Sequence, residues 1–194
     1  MGGVRAKLAS TNADKLRELR HALPDWEVEP LDAEGYPPED GETYYDNALA
    51  KARFGRGHTS DWVLGEDSGI EVSALGGRPG VESARWADDG VAALLDALQD
   101  VKDRRARYVS ALVALSPEGE ERQGDGMLEG AIALEPRGSE GFGYDPIFVP
   151  AGESRTVAEL GNDWKLEHSH RTRAARALLS QASPTGSSSS SSRP

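Results

Sequence analysis

Apolar positions along this chain recur with two different periods, and the switches between them mark its elements. Val4 to Ala9 is a short strand candidate, interrupted by Arg5 and Lys7, that runs into Ser10-Thr11-Asn12. Asn12 is a good helix N-cap, and Leu16, Leu19 and Leu23 then share one helical face until Pro24 stops it. A second helix starts at Thr43, where Thr43 and Asp46 form a capping-box pattern with Asp in the usual Glu place. Its apolar stripe is Tyr45, Ala48, Leu49 and Ala52, while Tyr44, Asn47 and Lys51 share another face by the same three- and four-residue spacing. Trp62 to Leu64 and Ile70 to Ala74 read as two strands, with Ser68-Gly69 a bend between them. Val91, Leu94, Leu95, Leu98 and Val101 mark a third amphipathic helix. Tyr108 to Leu115 is a nearly continuous apolar run, as expected of a central strand buried on both faces. Gly124, Gly126 and Gly130 then punctuate a hairpin or meander, and a last helix runs from about His170 to Leu179 with Ser169 as its N-cap.

Strands and helices thus alternate over about residues 3–181, the pattern of an α/β domain. In a chain of 194 residues this predicts one domain over 1–181, and the Ser-rich residues 182–194, with Ser187 to Ser192 unbroken, predict a disordered tail. There is no cysteine, which excludes disulfide frameworks, thiolate metal sites and a Cys nucleophile. Without an apolar run of roughly 18 to 20 residues or a signal-like N-terminus, the expectation is a soluble, cytoplasmic protein. Lys and Arg number 22 against 33 Asp and Glu, a net charge of −11. That balance argues against nucleic acid or an anionic membrane as partner, because such binding rests on clustered cations. A small anionic ligand stays possible where a few cations converge.

Standard motifs are missing. None of the five lysines follows a glycine, so there is no P-loop, and Gly141-Phe142-Gly143 lacks the third glycine of a dinucleotide fingerprint. His168-x-His170 has no nearby third ligand and reads more readily as surface than as a metal site. Three other segments carry possible chemistry. Ser10 to Lys15 places hydroxyl and amide side chains, free backbone N–H groups and the positive end of a helix where a phosphate would sit, though an ordinary N-cap with a solvated lysine reads the same way. Glu39-Asp40 and Glu66-Asp67 supply the oxygen ligands that Mg2+ favours, or are simply acidic loops in an acidic chain. Gly141-Phe142-Gly143-Tyr144-Asp145-Pro146, with Lys165 and Ser169-His170-Arg171 downstream, offers a stacking ring and edge-reading polar groups for a nucleobase, or a tight turn with buried aromatics.

Taken together and in this order, these segments resemble the inosine triphosphate pyrophosphatase family, the Ham1-like non-canonical purine NTP pyrophosphatases. The matching text is Leu8 to Lys15 with Glu18; Gly41 to Ala48 with Lys51-Ala52-Arg53; Glu66 to Ile70; Ala74 to Val81 with Ser83 to Trp86; Gly141 to Phe148; Ala158-Glu159-Leu160; and Lys165 with Ser169-His170-Arg171. The resemblance implies an elongated mixed β-sheet flanked by helices, in two lobes with the active site in the cleft between them. It implies hydrolysis of ITP, dITP and XTP to the monophosphate and pyrophosphate with Mg2+, in a homodimer.

By resemblance, Asp67 binds Mg2+ and acts as the base, Glu39 is the other metal-binding carboxylate, and Lys15 belongs to the catalytic set. The triphosphate is held by Ser10, Thr11, Asn12, Ala13, Asp14, Lys15, Lys51, Ser68 and Arg85, with Lys165 closing the site. Phe142 stacks on the base, Gly143, Tyr144 and Asp145 complete its pocket, and His170 and Arg171 read the purine 6-position. Glu66 stands where most bacterial members have Asp, which leaves its part in metal binding open. The stretch between Trp86 and Tyr108 is a few residues shorter than usual. Rival readings are a Maf-like nucleotide pyrophosphatase, against which the Ser-His-Arg ending speaks, and a non-catalytic nucleotide-binding module, against which Asp67, Lys15 and Glu39 speak.

Overall fold

The computed structural model describes residues 3–181, so the Ser-rich segment lies outside the described residues. Six strands form one mixed sheet in the order β2-β1-β3-β4-β5-β6. β1 (Val4–Leu8) is parallel to both β2 (Trp26–Pro30) and β3 (Trp62–Val72), whereas β4 (Arg105–Leu115), β5 (Glu121–Ile132) and β6 (Phe148–Pro150) continue the sheet antiparallel. Parallel pairs need helical crossovers, and α1 (Ala13–Ala22) and α2 (Tyr44–Arg56) supply them.

The sequence-predicted caps form. The Asn12 side chain accepts from the amides of Asp14 and Lys15, Thr43 and Asp46 make both halves of their capping box, and Ser169 accepts from Thr172 at the start of α6 (His170–Ser180). α3 (Gly90–Ala97) ends before Val101, which packs against the core from the following segment. Three short elements carry too few periodic positions to stand out in the sequence: β2, α4 (Val157–Leu160) and α5 (Asn162–His168).

One expectation is corrected. The bend at Ser68-Gly69 does not exist: β3 runs unbroken from Trp62 to Val72, and each residue from Val63 to Val72 is registered on β4. Pairing along the whole length overrides the local turn signal of a Ser-Gly step. The chain turns only afterwards, in a 3-10 turn over Ser73–Leu75.

Strand alternation divides the core. Val63 faces α2 with Ala48, Leu49, Ala52, Ala111 and Val113, whereas Leu64 faces α1 and α6 with Leu19, Leu112, Ala174 and Leu178. These two layers make one lobe. Ile70, Val72, Leu94, Leu98, Leu128, Phe148 and Val157 make the core of the other, and the long strands run through both.

Candidate active site

A cavity of about 670 Å³ opens where the two lobes meet. At one end, β1 delivers the chain to the start of α1, so Ser10, Thr11, Asn12 and Lys15 line the wall. Free amides were expected here, but Asn12 Oδ1 takes the N–H of Asp14 at 2.9 Å and of Lys15 at 3.1 Å, and Ser10 Oγ takes that of Asn12 at 3.2 Å. The turn thus takes up the amides of Asn12, Asp14 and Lys15, while those of Thr11 and Ala13 have no acceptor among the described residues and stay open to a phosphate, along with the dipole and the hydroxyls. Ala13 is exposed and Asp14 is turned toward Arg17 at 2.8 Å; neither lines the cavity.

β3 carries the acidic pair in mid-strand, and alternation sends the two carboxylates to opposite faces of the sheet. Asp67 turns toward α2, where Asn47 Nδ2 donates to its Oδ2 at 2.9 Å and the Lys51 ammonium lies 3.1 Å from its Oδ1. Lys51 also pairs with Glu39 and donates to the Glu66 carbonyl at 3.0 Å. Gly65 makes this possible, since a Cβ there would stand 2.0 Å from the Ala48 carbonyl oxygen of α2. Burial pushes the Asp67 carboxyl above its ordinary value; Lys51 and Asn47 pull it down, while Glu66 and Glu39 add to the rise. Glu39 is affected in the opposite sense: burial raises it, but the Lys51 ammonium wins and holds it below the usual range.

Glu66 and Ser68 turn toward α1 and α6. Glu66 is fully buried, with the Lys15 ammonium 2.8 Å from Oε2, Arg171 Nε 3.1 Å from Oε1, and Ser110 Oγ donating to Oε1 at 2.8 Å. Burial would raise its pKa, but Lys15 and Arg171 hold it far below the carboxylate range. Arg171 donates to Ser68 Oγ at 2.7 Å and faces the buried Glu18 at 3.4 Å.

The other end is built around Asp145. It accepts from the Phe142 amide at 2.8 Å and the Tyr108 hydroxyl at 3.1 Å, and pairs with Lys165. Gly141, at φ +78°, lets the loop close over this carboxylate, because a Cβ would lie 2.2 Å from Asp145 Oδ2. Lys165 Nζ sits 3.7 Å from the Phe142 ring centroid, a cation–π contact. His170 stacks on Tyr108 with centroids 4.7 Å apart, and its buried Nδ1 has no partner among the described residues. Burial first, then the charges of Arg171 and Lys165, push its pKa well below 6.5, so it is neutral.

The carboxylates of Glu18, Glu39, Glu66, Asp67 and Asp145 face the cations of Lys15, Lys51, Lys165 and Arg171, and Asp88 and Asp89 add acid to the cavity wall. Every one of these cations is already paired, so a polyphosphate entering here brings more negative charge than the protein alone offsets. Among the described residues no three acidic or histidine side chains gather as a full metal cage. Glu39 and Asp67 nevertheless converge on one ammonium, and two carboxylates suit a cation that completes its shell from water and phosphate oxygens, as Mg2+ does. The donor set fits a divalent ion.

The structure brings together Ser10, Thr11, Asn12, Lys15, Glu39, Asp67, Ser68, Phe142, Gly143, Tyr144, Asp145, Lys165, His170 and Arg171 around the cavity. Lys51 stands behind Glu39 and Asp67 as their shared counter-ion. Arg85 is set apart: it is exposed, it does not line the cavity, and its guanidinium turns back to the Val81 carbonyl at 3.5 Å. Sequence reasoning passed over Asn47, Tyr108 and Ser110 as site residues. Only Asn47 left a signal, by sharing a helical face with Lys51; the other two read as ordinary members of a buried strand.

The chain is similar to known proteins over most of its length. A dITP/XTP pyrophosphatase of Symbiobacterium thermophilum is 47% identical over 188 residues, covering 92% of this chain and 95% of the relative. One from Leifsonia xyli is 44% identical, covering 91% and 94%. The solved Ham1 protein of Staphylococcus aureus superposes with a TM-score of 0.80 at 33% identity, covering 91% of this chain and 97% of its own. The Ham1 family matches residues 6–181, nearly all of the described chain, and the chain belongs to that family.

Proposed function

We propose that this chain hydrolyses dITP, ITP and XTP between the α- and β-phosphates, releasing the nucleoside monophosphate and pyrophosphate with Mg2+, and so clears non-canonical purines from the nucleotide pool. The observation that carries this reading is the two-ended cavity. Glu39 and Asp67 converge at one end, and Phe142, His170 and Arg171 line the other, so metal-seeking carboxylates and an aromatic ring with polar partners share one cleft.

Glu39 and Asp67 would hold the metal, which when bound supplies charge neutralisation for the phosphates. Asp67, its pKa raised by burial, accepts the proton of the attacking water as the new P–O bond forms at the α-phosphorus. The bond to the β-phosphate oxygen breaks, and the pyrophosphate leaves beside Lys15, Ser10 and Thr11. Asn47 and Lys51 hold the Asp67 carboxylate in place.

At the other end Phe142 stacks on the base, with Gly143, Tyr144 and Asp145 shaping its pocket. His170 and Arg171 read the 6-position. A donor there pairs with the carbonyl oxygen of hypoxanthine or xanthine, but faces the amino group of adenine with N–H against N–H and leaves a desolvated group unpaired. Arg171 is held in place by Glu18, Glu66 and Ser68, and His170 is fixed by stacking on Tyr108, so both side chains meet the base edge in set positions. We assign the protein to the cytoplasm, as a homodimer that binds no nucleic acid; light scattering in solution tests the dimer.

The test is a substrate panel with product identification. With Mg2+, pyrophosphate release from dITP and XTP is expected at least about tenfold faster than from dATP or dGTP. Equal rates on all four overturn the specificity, and inorganic phosphate as the product overturns the cleavage position.

A further inference from the structure

The acidic pair of β3 contains one carboxylate that the reaction above does not use. Glu66 has no exposed surface, does not line the cavity, and points to the face of the sheet opposite Asp67. Two side chains on opposite faces of one strand do not close on a common ion. What Glu66 does touch is a pair of cations from distant parts of the chain: Lys15 of α1, at the phosphate end, and Arg171 of α6, at the base end. Ser110 of β4 fixes the same oxygen that faces Arg171, and Ser68, two residues along the strand, takes the other end of that guanidinium.

Resting on the nucleotide reading of this cavity, we propose that Glu66 is a positioning residue and not a metal ligand, a shared counter-ion that sets the separation between Lys15 and Arg171 so that the phosphates and the base of one nucleotide are engaged together. The length of the side chain matters. Glutamate reaches both cations from the strand with direct contacts, and aspartate would carry the same charge one methylene, about 1.5 Å, short of them. The residue therefore specifies a distance as well as a charge.

The experiment compares wild type with Glu66→Gln, Glu66→Asp and Ser110→Ala, the last removing only a neutral hydrogen bond to the same carboxylate. Two binding measurements are made on each: Mn2+ by electron paramagnetic resonance without nucleotide, and a non-hydrolysable dITP analogue by calorimetry. Steady-state kinetics on dITP and dATP follow. Glu66→Gln is expected to leave Mn2+ affinity within about twofold while KM for dITP rises about tenfold, kcat changes less, and the preference for dITP over dATP shrinks. Glu66→Asp, which keeps the charge, recovers part of the loss, and Ser110→Ala moves KM in the same direction by a smaller factor. Loss of Mn2+ binding in Glu66→Gln comparable to that in Asp67→Asn makes Glu66 a ligand and overturns the proposal. Unchanged KM and discrimination in both Glu66→Gln and Ser110→Ala overturn it as well. If Glu66→Gln fails to fold, Glu66→Asp and Ser110→Ala decide it alone. Should the wild type bind the analogue yet release no pyrophosphate, the functional reading fails, and the analogue affinities still decide the role of Glu66.

Discussion

Lys51 of α2 reaches across to β3 and places its ammonium 3.1 Å from Oδ1 of Asp67, while also pairing with Glu39. Its burial opposes the charge, yet Asp67 and Glu39 outweigh that and raise its pKa, so it stays a cation. It keeps two metal-seeking carboxylates together on one ammonium. Breaking a buried ion pair from one side costs about 3–5 kcal/mol, and the partial exposure of Glu39 puts Lys51→Met near the lower end, about 3. A divalent ion replaces the missing charge, so Mg2+ is expected to raise the urea midpoint of Lys51→Met more than that of wild type. Equal midpoints for the two proteins, with and without Mg2+, would show that Lys51 is not the counter-ion described.

Asp67 is the carboxylate assigned the water proton, and its amide isostere cannot take it. Asp67→Asn is expected to lower kcat by at least about a hundredfold, within the range general bases contribute. Nucleotide affinity should survive, because the base pocket and Lys15 lie on other elements. Single-turnover hydrolysis of dITP measures the first, and calorimetry with a non-hydrolysable analogue the second. A variant with full turnover removes Asp67 from the reaction.

Much of this site was legible before the fold was known, and the reasons are local. Asn12, Thr43 and Ser169 announce helix starts through side-chain capping, which needs no tertiary information. The three- and four-residue spacing put Asn47 and Lys51 on one face, and both reach Asp67. What failed was non-local. Ser68-Gly69 carries a turn signal, but pairing with β4 keeps it extended, and that pairing sends Glu66 and Asp67 to opposite faces. Nothing in the local sequence says that Glu18 on α1 is buried against Lys165 and Arg171, or that the Arg85 side chain turns back on its own segment. Of the free amides expected at the start of α1, those of Asp14 and Lys15 go to the same Asn12 that marks the helix, so one residue both caps the helix and removes part of the phosphate site its cap announces.

Gly65 tests whether the packing of α2 on β3 sets the chemistry. A Cβ at this position would meet the Ala48 carbonyl oxygen at 2.0 Å and the Ala52 amide nitrogen at 2.7 Å, both backbone atoms that side-chain rotation cannot relieve. Gly65→Ala must push α2 away from the sheet, carrying Asn47 and Lys51 off Asp67. Overpacking of this kind costs about 1–3 kcal/mol. Activity is expected to fall beyond what the lost folded fraction explains, because the base loses its supports. Chemical denaturation gives the stability, and kcat of the folded fraction gives the rest. A stable Gly65→Ala with wild-type kcat would mean that the helix can move without disturbing Asp67.

His170 gives the site a pH signature in stability. Folded, its imidazole is neutral, because burial and then the nearby charges of Arg171 and Lys165 hold its pKa well below 6.5. In the unfolded chain it titrates at about 6.5. Below that pH the unfolded chain binds a proton that the folded one refuses, so stability rises with pH up to about 6.5 and is lost as pH falls beneath it, with a slope of at most about 1.4 kcal/mol per pH unit from this residue. The depressed Glu66 carboxyl acts in the same direction but only in the more acidic window beneath the ordinary glutamate value, so the two contributions separate. His21, His58 and His168 are exposed and are shared by both proteins in the comparison. Urea unfolding at pH 7.5, 6.5 and 5.5 is therefore expected to show wild type losing about 1 kcal/mol more than His170→Gln across that range. Parallel pH dependence in the two proteins would mean that His170 accepts its proton in the folded state, and with it the neutral imidazole assigned to the purine edge would fall.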